Sequence, residues 1–429
     1  MNARDKGNSD GISVSKLPNG INLHFIKSDK FKTNTVCLLM RRPLERAAVT
    51  ANALIPLVLE RGCQKYPATA ELNREKERLY GSIINVHSFK KGEEQVIECF
   101  MDIVNNRTAQ DSNLLTQALE LASEMMLRPL LSDGAFEPEY VKSEKATLRT
   151  YIESKINHKA EYAMVRLIEI MCEGEPFALY PLGYIEDLDG IDGKNLWDRY
   201  DNILRTTRID FMFMGSVDEE ALRNDIPELF KRDMSKLIEI KSCGQTRRKR
   251  GAKRVDEYAD ISQGKLCVGL GAAGRHAPDY YSLLLASEIL GGESGSRLFN
   301  SVREKNSLCY YINSFVVRSK GIVIIQCGVD ADKFDRTIEL IDKEIDALKT
   351  GDIAEDELSK AKSGLTKRFA KIKDDPAKLL DFYISQHSMG LDYGLDEAIR
   401  HIGSVSLEDV HKTVKTLYTD TVYTYGRKP

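Results

Sequence analysis

Seven histidines stand at positions 24, 87, 158, 276, 387, 401 and 411. The closest two are ten residues apart, so no pair has the i, i+4 spacing that sets two imidazoles on one helix face toward a metal. Eight cysteines, at 37, 63, 99, 172, 243, 267, 309 and 327, form no C-x-x-C. Several lie inside apolar runs such as VCLLM and KLCVGL, which predicts buried free thiols in a reducing cytoplasm. None has surroundings that would activate a cysteine–histidine nucleophile. The chain contains no G-x-S-x-G and no G-x-x-x-x-G-K-[ST]. GGESGSRL at 291–298 lacks the lysine and spacing of a phosphate cradle and reads as a tight turn leading into a helix.

The elements that must position any site come from an internal duplication. Apolar strands TVCLLM and KLCVGL each precede an apolar helix, ANALIPLVLERG and YYSLLLASEILGG. Each is followed by a similar string, REKERL at 74–79 and REKNSL at 303–308, and then by further strands, EEQVIECFMDI and GIVIIQCGVDA. Cys37 and Cys267 are 230 residues apart, as are Gly62 and Gly292, and Arg74 and Arg303 are 229 apart. A repeat this long is a duplicated domain. The order predicts an α+β fold of two homologous domains, each a largely antiparallel sheet with helices packed on one side. The expected boundaries are 1–240, a charged linker at 241–258, and 259–429. Long helices are expected from about Pro138 to Cys172 and from about Ala354 to Lys373, the latter capped by Asp352.

Lys+Arg 62 against Asp+Glu 65 gives a net charge of -3, which argues against nucleic acid and membrane surfaces as partners. The run RRKR at 247–250 reads as part of the solvated linker. The first twenty residues have no apolar core, so neither a signal peptide nor a transit peptide is expected, and no apolar run approaches the length of a membrane span.

Specific strings carry a family likeness. LPNG at 17–20, YPLGYIEDLDGI at 180–191, FMGSVDEE at 213–220 and LGGESGSRLFNSVREKNSLCY at 290–310, with the duplication, resemble the M16 (pitrilysin-type) zinc peptidases over nearly the whole chain. The chain is most similar to short bacterial members and to mitochondrial processing peptidase subunits. Active members carry H-x-x-E-H on the first apolar helix, where two histidines hold zinc and the glutamate activates its water. Counted back from Gly62, that motif falls on ALIPL at 53–57. The histidine positions are Ala53 and Leu57 and the base position is Pro56. Pro56 also predicts a helix that kinks or restarts there. An earlier family glutamate on the later long helix matches Glu144, and the third ligand position falls at Tyr151, with Glu153 close by. A carboxylate there reads as a surface residue.

The resemblance implies that the second half supplies an arginine and a tyrosine, here Arg303 and Tyr310, which support the substrate carbonyl electrostatically. The bland reading pairs Arg303 with a nearby acid and buries Tyr310 on the sheet. The resemblance also implies substrate addition as a strand to the edge formed by GSIINVHSF at 81–89, with Asn85 and Ser88 at the substrate-binding positions. The expected function is a non-catalytic, substrate-binding subunit of a heterodimeric zinc metallopeptidase. Its partner would be an M16-like subunit carrying H-x-x-E-H and the zinc, with none in this chain. The substrate would be a peptide or small unfolded protein. A structural scaffold or peptide-binding protein without a proteolytic role is the second reading. An autonomous peptidase with a metal site assembled from distant histidines is the third.

Overall fold

The computed structural model describes residues 12–240, 251–272, 279–391 and 393–426. The chain divides into two compact units. One comprises Met1–Glu153, Leu179–Ser242 and Asp375–Gly394, and the other Ser154–Ala178, Cys243–Asp374 and Leu395–Pro429. Each unit therefore includes a helical segment from the opposite half of the sequence.

The first unit is built on a six-stranded sheet. Its strands are β1 (Ile12–Leu17), β2 (Ile21–Lys27), β3 (Thr33–Pro43), β4 (Ile83–Lys91), β5 (Glu94–Val104) and β6 (Ile209–Gly215), in the order β1-β2-β6-β3-β5-β4. Every neighbouring pair is antiparallel except β2 with β6. LPNG closes the β1–β2 hairpin, where Asn19 (φ 59°) and Gly20 (φ 65°) take the left-handed conformation. Alternate residues divide the sheet into two apolar faces. Leu23, Phe25, Val36, Leu38, Ile84, Val86, Cys99 and Phe211 share one core with helices α1 (Val49–Leu59), α3 (Leu114–Leu127) and α6 (Gly193–Thr206). Helix α2 (Thr69–Arg78) adds Leu72 to that core, and α4 (Pro138–Ser154) adds Val141 and Leu148. On the opposite face, Ile26, Cys37, Leu39, Val96, Met212 and Met214 pack against Leu380, Tyr383 and Ile384 of α9 (Pro376–Ser388).

The second unit repeats the plan with β7 (Lys253–Glu257), β8 (Gly264–Gly271), β9 (Cys309–Val317), β10 (Ile322–Val329) and β11 (Tyr418–Tyr425), in the order β9-β10-β8-β11-β7. All pairs are antiparallel except β11 with β7. Helix α7 (Asp279–Gly291) follows β8 and packs against β9. Helix α5 (Lys159–Met171) lies on the other face, where Ala163, Leu167 and Met171 meet Cys267, Ile322, Ile324 and Tyr423. The edge strands β4 and β9 occupy equivalent places in the two sheets, as the duplication requires.

Three local expectations need correction. The first long helix is broken: α4 stops at Ser154, a short 3-10 turn spans Lys155–Asn157, and α5 begins at Lys159. The break is where the chain leaves one unit for the other. Helix α8 (Glu355–Ile372) starts after Ala354, not under an Asp352 cap, because Glu357 reaches back to accept the Ala354 N–H at 2.9 Å. Within the segment read as linker, residues 241–250 lie outside the described residues, but Lys253–Glu257 is a strand. Its charges are spent locally: Glu257 accepts the Tyr162 and Tyr423 hydroxyls, each at 2.7 Å, and Thr424 donates to Asp256 at 2.6 Å. Among the described residues, cysteines 37, 63, 99, 172, 267, 309 and 327 are buried and form no disulfide, and Cys243 lies outside the described residues. Among the described residues, no helix is long and apolar enough to cross a membrane.

Candidate functional site

Helix α1 runs unbroken through Pro56. The expected kink or restart does not form, although proline in a helix interior costs about 3 kcal/mol. Burial decides the outcome: Leu54, Ile55, Val58 and Leu59 are each at most 4% exposed. Each such side chain contributes roughly 1.5–3 kcal/mol, so their sum exceeds the proline penalty. Asn52, whose carbonyl loses its Pro56 donor, is held by its side chain instead. It donates to Gln95 Oε1 at 2.9 Å and accepts from Arg199 Nε at 3.0 Å. Gln95 in turn donates to the Val49 and Pro181 carbonyls.

The YPLGYIEDLDGI string locks the start of α1. Gly183 sits at φ +79°, and a Cβ there would fall 2.1 Å from Thr50 Oγ1. Tyr184 N–H donates to Thr50 Oγ1 at 3.0 Å, and Thr50 donates onward to Asp187 Oδ2 at 2.5 Å. Arg46 pairs with Asp187 at 2.6 Å and stacks over the Tyr184 ring at 4.0 Å. Burial raises the Asp187 pKa, but the hydrogen bonds from Arg46 and Thr50 outweigh it and hold the carboxyl below its ordinary value.

The face of α1 at the motif positions offers no zinc chemistry. Ala53 and Pro56 are buried in the core and Leu57 is half-buried against it. None of the three carries a ligand atom or a base. Tyr151 projects 49% exposed from α4, and Glu153 is exposed near the helix end. Glu144, the match to the earlier family glutamate, is 7% exposed and paired with Arg61 at 3.3 Å. Arg61 also lies over the Tyr140 ring at 4.9 Å. The residues in place therefore do not fit the metal that the family motif holds, and this face of α1 supports no hydrolytic step.

One residue on this face escaped the sequence reading. Glu60, one turn beyond Pro56 and Leu57, accepts the Val86 N–H at 2.5 Å and is clamped by Lys76 Nζ at 2.8 Å. Among the described residues strand β4 bonds β5 alone, so this bond lies on its free edge. Backbone groups alternate along an antiparallel strand, and Ile84 and Ser88 share the orientation of Val86. Glu60 therefore caps the central one of three outward N–H groups. The sequence signal was a charged residue ending an otherwise apolar helix.

Asn85 and Ser88 both lie on β4, as expected, but on opposite faces of the sheet. Asn85 is exposed on the face away from α1, beside His87, which pairs with Glu98 at 2.9 Å. Ser88 is half-buried on the α1 side.

In the second unit, GGESGSRL forms the expected turn and leads into a helical stretch, Phe299–Glu304, that is a π-helix. Arg303 is in its last turn, its side chain 44% exposed, over the Phe299 ring at 4.8 Å and 3.9 Å from Glu304. Tyr310 is the extra residue of a β-bulge near the start of β9, where Cys309 pairs with Val329 and Tyr311 with Gly328. Bulges re-aim a side chain, and Tyr310 is 61% exposed, its hydroxyl 3.4 Å from Asp330. The bland reading fails for Tyr310, which does not fill the sheet face. Burial pushes Cys267 up to about 12 and Cys309 up to about 11, so these thiols stay protonated and unsuited to nucleophilic work.

Comparison with known proteins bears on the family and the fold. The family model described as "Peptidase M16 inactive domain" matches residues 190–365. The chain is 31% identical over 406 residues to a probable inactive metalloprotease, YmfF, of Bacillus subtilis (strain 168), covering 94% of this chain and 95% of that one. It is 23% identical to an uncharacterized zinc protease of the same organism, YmxG, over 71% of this chain and 73% of that one. The fold matches a conserved protein from Enterococcus faecalis V583 with a TM-score of 0.87 at 24% identity, covering 97% of this chain and 99% of that one. With likeness to a probable inactive metalloprotease over almost its full length, and apolar side chains where the zinc motif falls, the chain belongs to the M16 peptidase family as an inactive-type homologue.

Proposed function

We propose that the chain is the substrate-holding, non-catalytic subunit of a two-subunit M16 peptidase. Its partner carries H-x-x-E-H and the zinc, and the substrate is an extended peptide or a small unfolded protein. The observation that carries this reading is the bulge that turns Tyr310 out to 61% exposure, with Arg303 half-exposed on the preceding helix. In this reading the exposed guanidinium, and the phenol once it leaves its long hydrogen bond to Asp330 at 3.4 Å, donate to a carbonyl as it gains negative charge. The free edge of β4 supports the same reading, because strand addition draws on backbone groups and tolerates varied sequence. Likeness to both a probable inactive metalloprotease and an uncharacterized zinc protease of one organism is consistent with paired subunits.

The test mixes the chain with an H-x-x-E-H partner and follows cleavage of a fluorogenic unfolded peptide. Tyr310→Phe and Arg303→Ala are expected to lower kcat by at least about tenfold, the scale of one lost transition-state hydrogen bond, while the mixed complex still forms. Cleavage unchanged by either substitution removes the claim for the pair. A stable complex with a larger assembly and no cleavage with any zinc-bearing partner supports a scaffold role instead.

A further inference from the structure

A second cluster of metal-ligating side chains lies on the opposite face of the first unit's sheet from α1. His24 projects from β2 and Asp210 from β6, beside the strand residues that meet α9. His387 comes from the last turn of α9. His24 Nε2 and His387 Nε2 are each 3.8 Å from Asp210 Oδ1. The two imidazole rings meet edge to face with centroids 4.3 Å apart. One ligand atom from each residue falls within 4.8 Å of the others. In a tetrahedral site with metal–ligand bonds of about 2.0–2.1 Å, ligand atoms are about 3.3 Å apart. Each histidine nitrogen is thus about half an ångström beyond that spacing from the carboxylate oxygen, and no pair of the three ligand atoms is wider than 4.8 Å, so a bound ion would draw the side chains together.

A second observation points into the same space. His24 is 3% exposed, and its Nε2 has no hydrogen-bond partner among the described residues. A buried, unpaired imidazole nitrogen is a costly feature unless something binds it. The carboxylate is already oriented as a ligand would be. Asn22 Nδ2 donates to Oδ1 at 2.8 Å and Arg41 Nε donates to Oδ2 at 2.9 Å. Such outer contacts fix a ligating carboxylate. The Arg41 charge, which opposes a cation, is itself offset by Glu94 at 3.4 Å.

We infer that His24, Asp210 and His387 form a divalent transition-metal site of zinc-like preference, separate from the family's catalytic position. Two imidazoles and one carboxylate suit such an ion. The His387 side chain is 37% exposed, which gives an entry path and leaves a fourth position for water. A bound ion would pin α9, a segment from the second half of the sequence, to the sheet of the first unit. The site does not depend on the proposed peptidase role.

Zinc is the probe. Full-length protein is equilibrated with zinc, dialysed against metal-free buffer and measured by plasma mass spectrometry. The wild type is expected to retain one equivalent more than His387→Ala or His387→Gln. The half-exposed position in a last helical turn makes both variants compatible with folding, which circular dichroism checks. Titration of the wild type with cobalt(II) is expected to give visible absorption saturating at one equivalent, and the histidine variants should lack it. Equal zinc in wild type and variants, or no visible cobalt band in the wild type, overturns the inference.

Discussion

Replacing Glu60 by alanine separates the edge-strand reading from a purely structural one. Its carboxylate accepts the Val86 N–H at 2.5 Å on the free edge of β4 and is held by Lys76 at 2.8 Å. A peptide adding to that edge must displace Glu60 before it can accept the Val86 N–H. A hydrogen bond to a charged group contributes about 1.5–3 kcal/mol. The Glu60–Lys76 pair, with side chains 28% and 13% exposed, adds little after solvent screening. Glu60→Ala should therefore tighten binding of an extended peptide by about 10- to 100-fold, since about 1.4 kcal/mol is a factor of ten. The same substitution should lower folding stability by about 1–3 kcal/mol. Glu60→Gln keeps an acceptor without the charge and should fall between. The assay is fluorescence anisotropy of a labelled unfolded peptide, paired with urea unfolding. Peptide affinity unchanged by Glu60→Ala, with stability lowered as expected, would show that β4 is not the docking edge.

Other outcomes follow from the same geometry. Gly183→Ala places a Cβ 2.1 Å from Thr50 Oγ1 in a left-handed backbone, so it should cost at least about 2 kcal/mol, read by thermal or urea unfolding. The Asp187 carboxyl has a folded pKa below its unfolded value, so its contribution is present above about pH 4 and is lost as pH falls through the folded value. Asp187→Asn should flatten that part of the acid-unfolding profile. Tyr310→Phe, at an exposed position, should change stability by less than about 0.5 kcal/mol, so any loss of cleavage in the mixed complex reports on substrate.

The parts of this fold that depend on local pattern were legible in the sequence. Paired strings at a 230-residue offset identified two equivalent sheets, and apolar runs marked strands buried on both faces. The apolar character of ALIPL showed that α1 lacks metal ligands, because residue type alone decides that point. What escaped depends on distant partners. The strand Lys253–Glu257 has a charged sequence and forms because β11, at the far end of the chain, pairs with it and Tyr423 of that strand donates to Glu257. The break after Ser154 carries no glycine or proline and reflects the passage between units. Helix α9 sits on the first sheet although it follows most of the second by sequence, so His387 meets His24 and Asp210 from a distance no spacing rule can see. Glu60 was visible as a charge at a helix end, but its bond to a strand edge was not.

The central claim is that this subunit supplies substrate contacts and its partner supplies the metal. It is tested most directly by measuring peptide cleavage by this chain alone, by an H-x-x-E-H partner alone, and by the two mixed. The predicted result is no cleavage by this chain at any zinc concentration, and a rate for the mixture far above that of the partner alone. Cleavage by this chain alone, or a mixture no faster than the partner, would contradict the claim.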